Sequence, residues 1–339
     1  MPLQVFFLRR LLLTIPLLIS ITLFAFTIAN AVPSDPIVAN LPQNALDNEE
    51  MIAAFRAKWG LDKPLHEQYL TYLGNLLRGD LGVSIKTSKP VLADIQQFLP
   101  ATVELGSFAI LIGMVLGIGT GIISAVWRNS LADYLTRSYV VIGVSFPIFV
   151  LALIGLNVLH VRLGIVAGPG RLDFIMRDPP AVTGLFMLDA ALAGQWDKLR
   201  NAFSHIILPA FVLGSYVAGI IARITRSSML EVLGMDYIRT ARARGIRERG
   251  VVLRHAMSNA MIPVVTVIGL STANLLTGAV LIESIFAWPG IGRYAFRAAT
   301  SQDFPAIMGI SMLIATIYVL VNFLVDILYY FLDPRIRIA

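Results

Sequence analysis

At 339 residues, 57% of them hydrophobic and only 14% charged, with a mean hydropathy of +0.75, the chain is too apolar for a soluble domain built round one core. A net charge of +6 and a pI near 9.7 would suit a nucleic-acid binder, but the basic residues are sorted by side of a membrane instead. The absence of cysteine excludes disulfides, thiolate catalysis and cysteine metal sites.

A membrane-crossing helix needs about 20 mostly apolar residues. Six segments qualify, at approximately 11–31, 102–126, 135–159, 206–224, 261–282 and 306–331. The expectation is therefore an all-α integral membrane protein with six transmembrane helices. With the first terminus inside, the cytoplasmic pieces and adjoining span ends hold 14 Lys and Arg against 5 Asp and Glu, while the external pieces hold 13 against 13. That asymmetry is the positive-inside pattern and predicts that both termini are cytoplasmic.

The first apolar run follows Arg9 and Arg10 and ends in Ala29-Asn30-Ala31, which imitates a secretory signal and its cleavage site. Signal cores run about 7–15 residues, and this one is longer, so it reads as a retained helix. An external segment, 32–100, follows. Residues 48–59 read as a short helix with acids in the first turn, and 64–78 as a second with Leu65, Tyr69, Leu73 and Leu76 or Leu77 on one face. Such a helix suits the headgroup region, with its polar face free for an external partner.

The second span carries Gly113, Gly117 and Gly121 on one helical stripe, a pattern that lets another backbone come close. Trp127 and Arg128 close it as interfacial residues do. Pro147 should kink the third span. A second external segment, 161–204, contains the turn signals Gly168-Pro169-Gly170 and Pro179-Pro180.

Between the fourth and fifth spans lie Arg239, Arg242, Arg244, Arg247, Arg249 and Arg254, with Arg223 and Arg226 just upstream. Eight arginines would cost about 20 kcal/mol or more at bilayer depth, so this stretch must lie in water. Asp236 is expected to cap a helix of about two turns ended by Gly245, with a second helical piece from Arg247 returning to the membrane. Charge alone could serve anionic lipid, but not the helix–glycine–helix pattern.

The run Arg226-Ser227-Ser228-Met229-Leu230-Glu231-Val232-Leu233, then Asp236-Tyr237-Ile238-Arg239-Thr240-Ala241-Arg242-Ala243-Arg244-Gly245, resembles the coupling loop of bacterial ATP-binding-cassette importer permeases, in the peptide/nickel class and its dipeptide group. Similar too are Arg254-His255-Ala256, Gly60-Leu61-Asp62-Lys63-Pro64, Gly79-Asp80-Leu81-Gly82, Trp288-Pro289-Gly290-Ile291-Gly292 and Asp333-Pro334-Arg335-Ile336-Arg337. The wider importer pattern has Glu-Ala-Ala where this chain has Arg239-Thr240-Ala241, and Leu-Pro where it has Met257-Ser258, so no role of that glutamate carries over.

The resemblance implies a single type I importer-like permease domain over 1–339, in a bacterial inner membrane, with the coupling loop at 229–258. It implies that Tyr237, Arg239, Thr240, Ala241 and Arg242 touch a separate ATPase and that Gly245 sets the elbow angle. Ser271, which takes a place where relatives often have glutamine, and Asn274 are candidates for the pathway. Expected partners are a homologous second permease, two cytoplasmic ATPases that carry the ATP and magnesium, an extracytoplasmic solute-binding protein and the lipid bilayer, with no nucleic acid and no cofactor of its own. The solute would be a di- or oligopeptide, with a nickel chelate, glutathione or an opine as alternatives.

An intramembrane enzyme is the rival from another class. His66, His160, His205 and His255 are too scattered for a zinc helix, and neither a nucleophile elbow nor a phosphate-binding Gly-Lys pair occurs. A proton-coupled transporter could use Glu104, Glu283 or Asp326. Each lies near a span end, where a carboxylate reaches water or an arginine, and the paired inverted repeats of such transporters are not seen.

Overall fold

The computed structural model describes residues 3–31, 37, 48–59 and 62–332. The expected motif residues Gly60 and Leu61, the tail from Asp333 and most of 32–47 lie outside the described residues. Among the described residues there is no β-strand. In chain order the helices are α1 (Leu3–Ala31), α2 (Glu49–Trp59), α3 (Leu65–Leu77), α4 (Val91–Val126), α5 (Leu131–Ser145), α6 (Ile148–Arg162), α7 (Phe186–Leu192), α8 (Trp196–Leu233), α9 (Asp236–Ala243), α10 (Glu248–Leu276), α11 (Val280–Ile285), α12 (Ile291–Thr300) and α13 (Phe304–Leu332).

Helix α8 is the centre of the molecule. In its most apolar stretch 78% of the residues are buried, against 28–39% in α4, α10 and α13. The glycine stripe of α4 lies along it: a Cβ on Gly113, Gly117 or Gly121 would come within 2.9, 2.7 or 2.6 Å of Val217, Ile221 or Thr225. The approach is reciprocal, since a Cβ on Gly214 of α8 would meet the Ala109 carbonyl oxygen at 2.8 Å. Two backbones this close replace side-chain bulk by direct contact, which is what binds helices in lipid where apolar burial gives little preference. Helices α5, α7 and α10 pack on other sides of α8, and α1 packs along α13.

Four helices, α4, α8, α10 and α13, are long and apolar enough to cross a membrane, and α5 with α6 makes a fifth if the bent pair is one span. The expected kink at Pro147 is a full break, with the two arms at 98°. Proline removes the N–H and pushes its predecessor out of the helical region, and Phe146 has φ −83° and ψ 135°. In α1 the Thr14–Thr27 stretch is apolar but shorter. The helix itself continues through Ala29-Asn30-Ala31 to a length of 29 residues.

Two expected boundaries are corrected. The fifth span does not run over 261–282: its helix begins at Glu248 and stops at Leu276. Gly278 has φ +101°, and a Cβ there would sit 2.5 Å from the Gly292 nitrogen, so the chain turns and α11 starts afresh despite the continuing apolar run. The fourth span is longer than 206–224, because polar turns continue α8 at both ends.

The two short helices after α1 form where their patterns place them. The Asn48 side chain accepts from the N–H groups of Glu50 and Met51, capping α2. On α3 the inward face is Tyr69, Leu73 and Leu76; Leu65, at the first turn, and Leu77 are exposed. The Tyr69 hydroxyl lies 3.1 Å from Thr22 Oγ1, which pins α3 against α1.

Candidate functional site

The arginine-rich stretch folds into an elbow at the end of α8. Gly234 and Met235 turn the chain, and Met235 takes the extended backbone of a capping residue, with φ −76° and ψ 151°. Asp236 was the expected cap; it is instead the first helical residue, and no side chain caps α9. Its carboxylate still favours the helix start through the dipole and accepts from Arg239 Nη1 at 3.3 Å. At the far end Gly245 adopts φ +75°. Its N–H bonds the Arg242 carbonyl at 2.9 Å and the Ile246 N–H bonds the Ala241 carbonyl at 3.3 Å, so two otherwise open carbonyls are satisfied.

One face of α9 is a floor. Ile238 and Ala241 are buried with Met229 and Val232 of α8, Val251, Val252 and Ala256 of α10, and Ala125 of α4. The three-residue spacing of Ile238 and Ala241 places both on the side facing the bundle. Ala241 was expected to touch a partner; at 6% exposure it is withdrawn into this core because Cβ packing there seats the helix. Tyr237, Arg239, Thr240, Arg242 and Gly245 are exposed on the outer side.

Two clamps hold the elbow's angle. Arg242 forks onto Glu248 across the glycine turn, Nη2 to Oε1 at 2.7 Å and Nε to Oε2 at 3.1 Å. That carboxylate holds the Arg242 guanidinium further above its already high range. On the other side the Tyr237 hydroxyl accepts from Asn259 Nδ2 at 2.7 Å. Arg239 and Thr240 are left on the outer surface, with only local bonds back to Asp236.

The pathway candidates part company. Ser271 is buried at 8% exposure, whereas Asn274, one turn along α10, is exposed and accepts from the Tyr318 hydroxyl of α13.

Of the three acids near span ends, Glu104 is buried and accepts from Arg171 Nη2 at 2.5 Å and from the Met187 N–H at 2.8 Å. Arg171 comes from the 161–204 segment and lies 3.6 Å from the centre of the Phe186 ring, a cation–π contact. Glu283 departs from the expectation of water or an arginine. It is fully buried and accepts from Thr102 Oγ1 and the Arg293 N–H, both at 2.8 Å. Burial pushes its carboxyl up, against the pull of these donors. Asp326 is buried in α13 at 8% exposure.

Sequence reasoning missed Asp133. This fully buried carboxylate, at the start of α5, accepts from Ser124 of α4, from the Asn129 N–H at 3.0 Å, and from Arg226 of α8 at 3.2 and 3.1 Å. It ties α4, α5 and α8 together. Its only signal was an acid beside an interfacial Trp-Arg pair. Among the described residues no group of three or more His, Asp or Glu could hold a metal ion.

The family model described as binding-protein-dependent transport system inner membrane component matches residues 117–338, and its N-terminal companion matches 3–106. The dipeptide transport system permease protein DppB of Alkalihalophilus pseudofirmus is 45% identical over 330 residues, covering 97% of this chain and 98% of that protein. DppB of Escherichia coli K12 is 42% identical over 334 residues, 98% of each chain. The probable D,D-dipeptide transport system permease protein DdpB of the same organism is 44% identical over 93% of this chain and 92% of its own. Among solved structures, a chain of the inward-facing MetNI methionine ABC transporter shares the fold with a TM-score of 0.51 at 17% identity, covering 71% of this chain and 97% of that one. A helical bundle with at least four apolar spans, an arginine-rich elbow and family matches along nearly its whole length, this chain belongs to the binding-protein-dependent transport system inner membrane components, the multi-pass permease subunits of ABC transporters.

Proposed function

We propose that this chain forms half of the membrane pathway of an ATP-driven importer for di- or oligopeptides. The observation that carries the substrate class is the 42–45% identity, over 97–98% of the chain, to permeases named for dipeptide transport. In this reading α1 is the sixth span and both termini are cytoplasmic, which the positive-inside charge balance supports. A homologous permease completes the pathway, a binding protein delivers peptide from outside, and two ATPases carry ATP and magnesium.

The elbow is the ATPase contact. Its buried floor fixes it to α4, α8 and α10 at once, and its outer face offers Arg239, Thr240 and the edge of Tyr237. Arg242 and Gly245 set the angle at which that face is presented. ATP-driven closure of the two ATPases would push the elbows together and swing the spans from inward-facing to outward-facing.

The test is reconstitution with the neighbouring subunits in proteoliposomes. Dipeptide delivered by the binding protein should stimulate ATP hydrolysis and accumulate inside, with nickel chelates, glutathione and opines as competitors. Arg239→Glu should uncouple hydrolysis from uptake while the complex stays assembled. Uptake driven by a proton gradient without the ATPases would overturn the reading.

A further inference from the structure

Ser124 and Arg226, the partners of Asp133, line a cleft of about 390 Å³ between α4, α5 and α8. Its lining includes Ser124, Arg137, Arg223, Arg226 and Ser227 among polar residues, and Val140 and Val141 among apolar ones. Arg137, Arg223 and Arg226 bring three guanidiniums to the cleft, and no carboxylate lines it. Arg226 commits Nε and Nη2 to Asp133 and Ser124, which fixes its fork. Arg137 and Arg223 are exposed and, among the described residues, have no acidic partner. A cleft with a surplus of about two positive charges, one of its arginines fixed in place, suits a phosphate group.

The apolar side says which phosphate. Val141 is 59% exposed, and Val140 and Val141, one helical turn beyond Arg137 on α5, give the cleft an apolar wall beside its arginines. Trp127, 57% exposed at the end of α4 and one turn beyond Ser124, marks the depth of the membrane interface. A free anion gains nothing from such a wall, whereas a phospholipid places its headgroup on the arginines and its acyl chains along the valines. We propose that this cleft binds an anionic phospholipid of the inner leaflet through its phosphate. The assignment of the leaflet rests on the orientation in the importer reading.

The bound lipid would rest against α8 about two turns before Leu233, where the elbow begins. Each cation near an anionic lipid contributes about fivefold in affinity, so Arg137→Gln with Arg223→Gln should weaken retention by about 30-fold. Arg226 is left untouched because Asp133 depends on it.

The experiment uses the whole transporter with its partner subunits, in detergent, titrated with phosphatidylglycerol or phosphatidylcholine and read by native mass spectrometry. The wild type should hold phosphatidylglycerol in preference to phosphatidylcholine, and the double variant should lose that preference with the complex intact. Equal retention by both proteins overturns the proposal. So does equal binding of the two lipids, or displacement of the bound lipid by millimolar inorganic phosphate, which would assign the cleft to a free anion. Should the double variant not assemble, a photoactivatable phosphatidylglycerol on the wild type decides. Adducts within 136–141 or 222–230 support the site, and adducts only elsewhere, or a cleft covered by the second permease, sink it. Lipid retention is read independently of uptake, so failure here leaves the importer reading standing, and a failed uptake assay leaves this site standing.

Discussion

Replacing Gly117 by alanine tests the close approach of α4 and α8. The added Cβ would meet Ile221 Cβ at 2.7 Å, Ile221 Cγ2 at 2.8 Å and the Ala218 carbonyl oxygen at 3.0 Å. Carbon pairs rest at about 3.5–4.0 Å, so the helices must part by about 0.8 Å or more. Neither a Cβ nor a backbone oxygen can swing aside. Overpacking of this kind costs about 1–3 kcal/mol, while alanine gains up to about 1 kcal/mol over glycine in helix propensity. Gly119 supplies the control, because nothing lies within 4 Å of its would-be Cβ. Gly119→Ala keeps the propensity gain with no clash. The two variants should therefore differ by about 1–3 kcal/mol, Gly117→Ala being the weaker. Unfolding of the purified permease in mixed micelles, followed by circular dichroism as SDS is raised, measures the difference. Equal stabilities, or a more stable Gly117→Ala, would refute the reasoning.

Three further outcomes are expected. Arg171→Ala strands Glu104 in an apolar site and should cost about 3–5 kcal/mol, much of it recovered when Glu104→Gln is added; fully additive losses in the same unfolding assay would contradict the pairing. Gly245→Ala forces a Cβ into a φ of +75° and should cost about 1–2 kcal/mol, seen as faster amide exchange across 237–246, with unchanged exchange counting against a strained elbow. Asp189 is buried, which raises its carboxyl, but the Thr183 hydroxyl and the N–H groups of Thr183, Gly184 and Val182 outweigh that and hold it below its usual range. Its stabilisation is thus complete above the ordinary carboxylate value of about 3.9 and is lost only as pH falls through the lower folded value. Amide protection at 182–184, corrected for intrinsic rates, should hold down to pH 4, and its loss by pH 6 would exclude this source.

What could be read from the sequence was local. The stripe of Gly113, Gly117 and Gly121 needs only helical periodicity and stands where that periodicity places it, as does the short helix after Asn48 with its acids in the first turn. Gly245 ends its helix for the same local reason. Apart from the one-residue shift of the α9 cap from Asp236 to Met235, the misplaced features depend on partners distant in the chain. The fifth span looked longer because its apolar run continues past Gly278, and the close approach of Gly292 that turns the chain there is invisible along the sequence. Ala241 looked available because its neighbours are charged; only the packing of Val251 and Met229 reveals it as floor. The Arg171–Glu104 and Arg226–Asp133 pairs join residues 67 and 93 positions apart, beyond any periodic signal.

The elbow's two clamps have a mechanical corollary. Arg242 on Glu248 and Asn259 on Tyr237 leave the joint at Gly245 little slack, so a load on α9 cannot be spent on bending it. With Ile238 wedged among residues of α4, α8 and α10, a displacement at the tip reaches three shafts simultaneously and in fixed proportion. In the importer proposed above, loosening either brace would introduce backlash: the tip would still be gripped, but each stroke would deliver less travel to the spans behind it.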